Sequence, residues 1–167
     1  ALARWQKSDG TFVSPEEFIP LFESSGFITR FDMYIWKSVC KTLAAWQDKG
    51  CKLVPISINV SMIDITNIDV PQYLSMLTEQ YHISPEYLPV EITESVFAES
   101  NTIVKNTITR FHKKGFYVLM DDFGSGYSSL NVLKDANVDY LKLDMKFMQI
   151  DAKNKGKGIQ ILKSIVD

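Results

Sequence analysis

Six residues suited to metal-assisted hydrolysis lie at the ends of short apolar runs: Asn59, Glu91, Asp121, Asp122, Lys142 and Asp144. Four of them are carboxylates and one is a cation. Two like charges about 4 Å apart repel by about 4 kcal/mol at an effective dielectric of about 20, so a marginally stable fold does not keep several such pairs without a cation among them. If these residues converge, they predict a site for the hard divalent ions Mg²⁺ or Mn²⁺.

The adjacent pair Asp121-Asp122 could serve two metal ions about 3.5–4 Å apart, an arrangement used for in-line attack at phosphorus. Taken singly, the residues have ordinary interpretations. Asn59 would end a strand, Glu91 would be an exposed ion-pair partner, and the two aspartates would open a turn. Lys142 would pair with Asp144 at the surface. Their shared position at strand ends favours the functional interpretation.

Alternating strand and helix patterns must position these residues. Strands are predicted for residues 52–60, 88–93, 116–120 and 140–144, and helices for residues 31–47, 71–81, 101–114 and 128–136. A capping box of Thr29 and Asp32 is expected to begin the first helix. Units of about thirty residues that alternate strand and helix predict right-handed βαβ connections and parallel strands.

Polar and apolar residues alternate along the predicted strands. Ser57 and Asn59 share one face while Ile58 lies on the other, and Glu91 and Thr93 repeat the pattern. An open α/β sheet carries helices on both faces, so its strands are almost continuously apolar. One polar face therefore favours a closed barrel with outer helices and a site at the carboxyl ends of its strands.

A glycine-containing loop follows the two aspartates. Gly124 and Gly126 are separated by one residue, with Ser128 shortly after. Such a loop could approach a phosphate closely, although a hinge or turn explains it equally well, and it lacks the signature of a P-loop. Glu94, three residues after Glu91, is expected to hold this loop through hydroxyl or amide contacts.

Composition excludes several classes of protein. The 167 residues include 18 basic and 20 acidic side chains, a balance that argues against a nucleic-acid face, and 46% are hydrophobic, enough for a core. No apolar run approaches the roughly 20 residues of a membrane span. Cys40 and Cys51 are interpreted as packing residues, and His82 and His112 as structural. We expect a cytoplasmic protein without DNA or membrane contact in this segment.

Seven segments, in order along the chain, resemble the EAL domain family of bacterial cyclic di-GMP phosphodiesterases. They are Ala1-Leu2-Ala3-Arg4-Trp5, residues 15–20, residues 23–28, Asn59-Val60-Ser61, residues 91–94, residues 121–130 and Lys142-Leu143-Asp144. The stretch 121–130, DDFGSGYSSL, is highly specific. The resemblance implies one EAL domain fragment over residues 1–167 and an α/β fold, an incomplete modified TIM (β/α)8 barrel of largely parallel strands with outer helices. It also implies hydrolysis of cyclic di-GMP to linear pGpG with Mg²⁺ or Mn²⁺.

The resemblance further implies a role for each matching residue. The metal ligands would be Asn59, Glu91, Asp121 and Asp122, the last serving a second ion. The catalytic residues would be Lys142, Asp122 and Asp144. Arg4 would lie near a substrate phosphate, and Glu94 would anchor the loop that holds Gly124, Gly126 and Ser128.

The resemblance also implies motifs of the family that would lie outside these 167 residues. The family's first metal-binding glutamate would precede Ala1 and its EGVE-like glutamate would follow Asp167, so we expect an excised piece with little or no activity of its own. A full barrel takes about 250 residues. Unpaired strand edges would favour a homodimer, and a GGDEF or sensor domain could accompany the domain in a parent chain. The alternative is a non-catalytic EAL module that binds cyclic di-GMP or a protein partner.

Overall fold

The computed structural model describes residues 1–98, 102–124 and 136–144. Their elements, in chain order, are β1 (Trp5–Gln6), β2 (Phe12–Val13), α1 (Pro15–Ser24), α2 (Ile28–Asp48), β3 (Ile58–Asn59), α3 (Met62–Asn67), α4 (Val70–Gln80), β4 (Val90–Thr93), α5 (Glu94–Ala98), α6 (Thr102–Lys113), β5 (Val118–Phe123) and β6 (Tyr140–Leu143). A single 3₁₀ turn, Pro85–Tyr87, precedes β4.

Four of the strands form a parallel sheet whose order, β3-β4-β5-β6, follows the chain. Helices α3 and α4 connect β3 to β4, and α5 and α6 connect β4 to β5. Parallel strands in chain order are typical of a β/α barrel, whereas a doubly wound sheet reverses its order at a switch point. The predicted α/β fold, with parallel barrel strands and helical connections, is confirmed. The short β1–β2 pair is antiparallel and lies outside this sheet.

One face of the sheet packs against the helices. Val90, Ile92, Val118 and Met120 are completely buried, and they share one apolar core with residues of α2, α4 and α6. Alternate residues of a strand point to opposite faces, so the side chains between these four point away from the helices. Of these, Glu91 gives the face the polar character expected from the alternation, whereas Leu119 on β5 is apolar.

Three predicted helices are found with shifted ends: α2 is longer than predicted, α4 is offset by one residue and α6 is shorter. The expected capping box of Thr29 and Asp32 is wrong, because α2 begins after Phe27 and has no side-chain cap. The Phe22 ring packs on the rings of Phe27 and Phe31 with centroids 5.1 and 5.3 Å apart, which starts the helix before the expected cap. Of the helices in the described ranges, none is both long enough and apolar enough to cross a membrane.

Strand ends differ more than helix ends from the prediction. Residues 52–57 form no strand, and Pro55 within them has no N–H to donate to a ladder. By contrast, β5 continues to Phe123 and includes both aspartates. Helix α3 was not predicted although Ser61 and Asp64 form a complete capping box at its start. The helix predicted for residues 128–136 lies outside the described residues except for Ala136.

Candidate active site

Asn59 and Glu91 lie side by side on neighbouring strands, Asn59 as the last residue of β3 and Glu91 as the second of β4. The parallel register pairs Asn59 of β3 with Glu91 of β4, and Thr93 of β4 with Asp121 of β5. Asn59 follows the buried Ile58, and Glu91 lies between the buried Val90 and Ile92. The structure thus brings three predicted site residues to the sheet face that points away from the helices.

A β-bulge directs the two aspartates. Met120 pairs with Leu141 and Phe123 with Leu143, so Asp121 and Asp122 together oppose the single residue between these leucines. The bulge places Asp122 in the left-handed region, with a φ of 58°, which costs a residue with a Cβ about 1–2 kcal/mol. The Asp122 N–H donates to Asp121 Oδ1 at 2.9 Å. Backbone strain of this kind concentrates at functional sites.

Lys142 is the residue opposite the bulge, and its ammonium joins two of the carboxylates. Nζ donates to Glu91 Oε1 and to Asp121 Oδ2, each at 2.9 Å. The Glu91 side chain is 9% exposed, and that of Asp121 is 21% exposed, so both charges are largely removed from water. The structure gives Lys142 these two contacts, one to the adjacent strand β5 and one to β4 beyond it, rather than the surface pair with Asp144 that the sequence suggests.

The charge on Lys142 is favoured by these contacts. Partial burial lowers the pKa of Lys142, but the hydrogen bonds to Glu91 and Asp121 and their negative charges outweigh burial, so its pKa is raised. Lys142 therefore stays protonated throughout the physiological range. The site combines one fixed cation with two nearly buried anions.

Glu94 begins α5 and is 3% exposed. Its Oε2 accepts the backbone N–H of Gly124 at 3.1 Å, a contact between α5 and the residue that follows β5. Gly124 has a φ of 89°, a conformation that glycine adopts without strain. The other two predicted loop residues, Gly126 and Ser128, lie outside the described residues.

Arg4 and Asp144 lie at the margins of the cluster. Arg4 lines the same cavity as Asn59 and Glu91, and its Nη1 donates to the backbone oxygen of Ala3 at 2.9 Å. The Asp144 N–H donates to the backbone oxygen of Phe123 at 3.0 Å, which places Asp144 directly after β6. The backbone contact of Asp144 extends the β5–β6 pairing by one step beyond the bulge.

The oxygen atoms at this site are of the type that binds divalent ions. Carboxylate and amide oxygens are the ligands that Mg²⁺ and Mn²⁺ prefer, and Asn59, Glu91 and Asp121 provide them on adjacent strands. In the described ranges, no three His, Cys, Asp or Glu side chains are grouped closely enough to form a metal site by themselves. In this arrangement the Lys142 ammonium provides the positive charge between Glu91 and Asp121.

A cavity of about 430 Å³ opens beside the cluster. Asn59, Glu91 and Thr93 line it from the strand ends, and Arg4 lines it from the N-terminal segment. Its remaining wall is largely aromatic and aliphatic, from α1 and α2. An apolar cavity with a few convergent polar groups is the usual form of a small-molecule site.

Trp36 belongs to this region although no motif marks it, and Asp32 lies in the cavity wall instead of forming the expected helix cap. Trp36 is completely buried and donates its indole N–H to the backbone oxygen of Asn59 at 2.9 Å. Asp32 lines the cavity, and its pKa is raised to about 8, first by burial and then by the charge and hydrogen bond of Asp64 and the charge of Glu23. A tryptophan on an apolar helix face needs a partner for its N–H, which is the signal that could have found Trp36.

The cysteines and His112 were interpreted as structural residues. Cys40 is buried, and burial raises the pKa of its thiol to about 11, whereas Cys51 is exposed and does not pack in the core. His112 Nε2 lies 3.0 Å from Asp139 Oδ2. That Asp139 oxygen also accepts the Val118 N–H at 2.7 Å, so this group joins α6 to the starts of β5 and β6.

Comparison with known proteins identifies the family of this chain. The family model described as "EAL domain" matches residues 1–167. The chain is 36% identical over 148 residues to the probable cyclic di-GMP phosphodiesterase PdeB of Escherichia coli K12, covering 89% of this chain and 28% of PdeB. It is 33% identical over 151 residues to the cyclic di-GMP phosphodiesterase PdeR of the same organism, covering 89% of this chain and 22% of PdeR.

A solved structure has the same fold. The EAL enzyme Bd1971, in its cAMP- and cyclic-di-GMP-bound form, superposes with a TM-score of 0.82 at 25% identity, covering 98% of this chain and 45% of that one. The chain spans less than a third of the length of the two curated relatives. On the match of the family model and the identity to these relatives, the chain belongs to the EAL domain family.

Proposed function

We propose that this chain is part of a bacterial cyclic di-GMP phosphodiesterase that hydrolyses one phosphodiester bond of cyclic di-GMP to linear pGpG with Mg²⁺ or Mn²⁺. The observation that carries the proposal is the contact of one ammonium, Lys142, with the carboxylates of Glu91 and Asp121 at the carboxyl ends of parallel strands. The EAL relatives that are named cyclic di-GMP phosphodiesterases support the choice of substrate.

The oxygen donors of Asn59, Glu91 and Asp121 would hold one divalent ion, and Asp122 would serve a second. Such ions supply Lewis acidity and lower the pKa of bound water. The strained backbone of Asp122 would turn the two adjacent carboxylates in different directions, which suits one aspartate to each ion.

Lys142 would place a fixed positive charge where negative charge builds on the phosphoryl oxygens. A preorganised cation in a site shielded from water stabilises such charge more strongly than it would in water. Glu91 and Asp121 hold the ammonium in place from two strands, so little reorganisation is needed when the substrate reacts. Asp144 would support this group from the end of β6.

Arg4 would bind a phosphate of the substrate from the N-terminal segment that lines the cavity. Its guanidinium can form two parallel hydrogen bonds to a phosphate, which orients the ligand as well as binding it. Glu94 would keep the loop after Asp122 in place through Gly124, with Gly126 and Ser128 completing that loop. These contacts would position the cyclic dinucleotide against Lys142.

A second candidate function is binding of cyclic di-GMP or a protein partner without catalysis. One observation favours it: Glu91 and Asp121 already share an ion pair with Lys142, and among the described residues no three His, Cys, Asp or Glu side chains are grouped as a metal site. As further parts of the proposal, the protein would act in the bacterial cytoplasm and would form a homodimer. A GGDEF or sensor domain would accompany this one.

Calorimetric titration of cyclic di-GMP into the chain, with and without Mg²⁺, tests the proposal beside an assay for linear pGpG. We expect Mg²⁺ to increase the affinity for cyclic di-GMP. In the presence of Mg²⁺, Asp121→Asn should lower that affinity by about 100-fold or more. Asp48→Asn, at the exposed end of α2, is the matched control and should behave like the unaltered chain. Absence of cyclic di-GMP binding under all conditions would contradict the enzyme and the nucleotide-binding module, and would leave only the binding of a protein partner.

Binding with and without hydrolysis separates the two candidates. Metal-dependent release of pGpG supports the enzyme, whereas metal-independent binding that Asp121→Asn leaves unchanged supports the non-catalytic module. The 167 residues alone are predicted to turn over little substrate, so the binding arm carries the test for this chain. A turnover comparable to that of a complete EAL domain would overturn that last prediction.

A further inference from the structure

Two carboxyl groups outside the proposed catalytic cluster meet between α2 and α3. Asp32 of α2 lines the cavity, and its carboxyl group lies close enough to that of Asp64 of α3, which is completely buried, for the two to interact. Asp64 Oδ2 accepts the Ser61 N–H at 2.9 Å and the Ser61 hydroxyl at 2.7 Å. Asp64 Oδ1 is buried and, among the described residues, meets no N–H or hydroxyl donor.

An unpartnered oxygen on a buried carboxylate is costly, and here the side chain beside it can supply the missing donor. A carboxyl group donates a hydrogen bond only when it is protonated. Two carboxyl groups in contact commonly share one proton, because both cannot ionise at close range. Asp64 already accepts two hydrogen bonds from Ser61, so the proton belongs to Asp32.

We propose that Asp32 is protonated at neutral pH and donates to Asp64 Oδ1, and that this hydrogen bond positions the turn that follows Asn59 and leads from β3 into α3. The groups that face Asp32 favour its neutral form. Asp64 approaches from α3 and Glu23 from α1, and both add negative charge to a partly buried site. The other charged groups on the cavity wall are Glu91, Arg4 and the amino group of Ala1.

The position of α2 explains how Asp32 would act on Asn59. Trp36 lies one helical turn after Asp32 and holds the backbone oxygen of Asn59. Asp32 holds Asp64, and Asp64 in turn caps α3 through Ser61. Helix α2 therefore contacts both ends of the short segment from Asn59 to Asp64. Loss of the shared proton would put two adjacent buried charges between α2 and α3 and loosen one of these two contacts.

The protonation has a thermodynamic signature that needs no substrate. Burial and the neighbouring carboxylates raise the pKa of Asp32 from 3.8 to about 8, so between these values the folded chain holds one proton that the unfolded chain has lost. Stability then falls as pH rises, tenfold in the folding equilibrium constant per pH unit, and this loss ends above about pH 8.

Denaturant unfolding of the chain and of Asp32→Asn at pH 5, 6, 7 and 8 measures this signature. The asparagine amide can donate to Asp64 Oδ1 but does not titrate. The ratio of the folding equilibrium constant of Asp32→Asn to that of the unaltered chain should therefore rise about tenfold per pH unit. An identical pH dependence of the two proteins would overturn the assignment of the proton.

Hydrogen exchange at the Ser61 amide tests the positioning role. Asp32→Ala, which removes the donor, should speed exchange at Ser61 at least tenfold relative to Asp32→Asn, which keeps it. Equal protection in the two variants would overturn positioning by Asp32. If Asp32→Ala does not fold, the unaltered chain measured against Asp32→Asn gives the same test, because only the unaltered chain should lose protection towards pH 8.

Any effect of Asp32 on hydrolysis rests on the proposed function, whereas these two measurements do not. If the chain does not bind cyclic di-GMP but shows the expected pH dependence of stability, only the proposed function is rejected. If it binds cyclic di-GMP with the expected metal dependence but lacks that pH dependence of stability, only the inference about Asp32 is rejected.

Discussion

Lys142 of β6 and Glu91 of β4 form an ion pair of 2.9 Å across the strand that separates them. The intervening strand, β5, contributes Asp121 to the same ammonium. One side chain thus connects three consecutive strands through two contacts, and the bulge at Asp121 and Asp122 lies directly opposite it.

Removal of Lys142 is expected to make the chain dependent on a divalent ion. Lys142→Gln leaves the carboxylates of Glu91 and Asp121 facing each other, which should lower the free energy of unfolding by about 1 kcal/mol in EDTA, since the lysine is partly exposed. Mn²⁺ should then restore more stability in this variant than in the unaltered chain. Thermal unfolding with and without Mn²⁺ measures the difference, and Lys142→Arg is the control that keeps the charge. Equal effects of Mn²⁺ on all three proteins would count against a metal site here.

Glycine should be more stabilising than alanine at position 122. Both Asp122→Gly and Asp122→Ala remove the carboxylate, so the difference between them isolates the backbone, whose φ is 58°. Alanine meets the left-handed penalty and glycine does not, and we expect the glycine variant to be more stable by about 1 kcal/mol. Denaturant unfolding of the two variants gives this difference directly. The reverse order, which is the usual one in helices and strands, would show that the bulge does not persist in solution.

Glu94 is expected to stabilise the start of the loop after β5. Glu94→Ala leaves the Gly124 N–H without its acceptor and should lower the free energy of unfolding by about 1–3 kcal/mol. Glu94→Gln keeps an acceptor oxygen and should lose less. Exchange of the Gly124 amide should increase in the alanine variant. Glu86→Ala, at an exposed position in the 3₁₀ turn, is the control. If the Glu86 and Glu94 variants lose equal stability, the contact has no measurable effect.

Asp139 is expected to hold β6 in register with β5. Its carboxylate accepts the Val118 N–H and contacts His112, and its own N–H donates to the Val118 oxygen at 2.8 Å. Asp139→Ala should lower the free energy of unfolding by about 1–3 kcal/mol and speed exchange at the Val118 amide. Asp139→Asn keeps an acceptor oxygen and is the matched comparison. Equal amide protection in the two variants would mean that the side chain does not set the register.

The fold class, and which side chains share one face of the sheet, were largely predictable because both follow from local pattern. The alternation around Ile58 and around Val90 indicates which residues point away from the helices, and this holds in the structure. Strand ends were less predictable because pairing, not composition, defines them: residues 52–57 have strand-like composition yet lie outside β3. Helix α2 begins at Ile28 because of contacts between aromatic rings on α1 and α2, which no capping pattern reveals.

The amino-acid sequence alone determined the types of the site residues, their order and their shared place at strand ends, because these depend on composition and on a period of two. Tertiary structure decided that Lys142 pairs with Glu91 and Asp121 and that Asp32 meets Asp64. Those contacts join residues distant in sequence, and they depend on a bulge and on the packing of α2 against α3. The register of one strand on another and the approach of two helices are properties of the whole fold, so no local pattern encodes them.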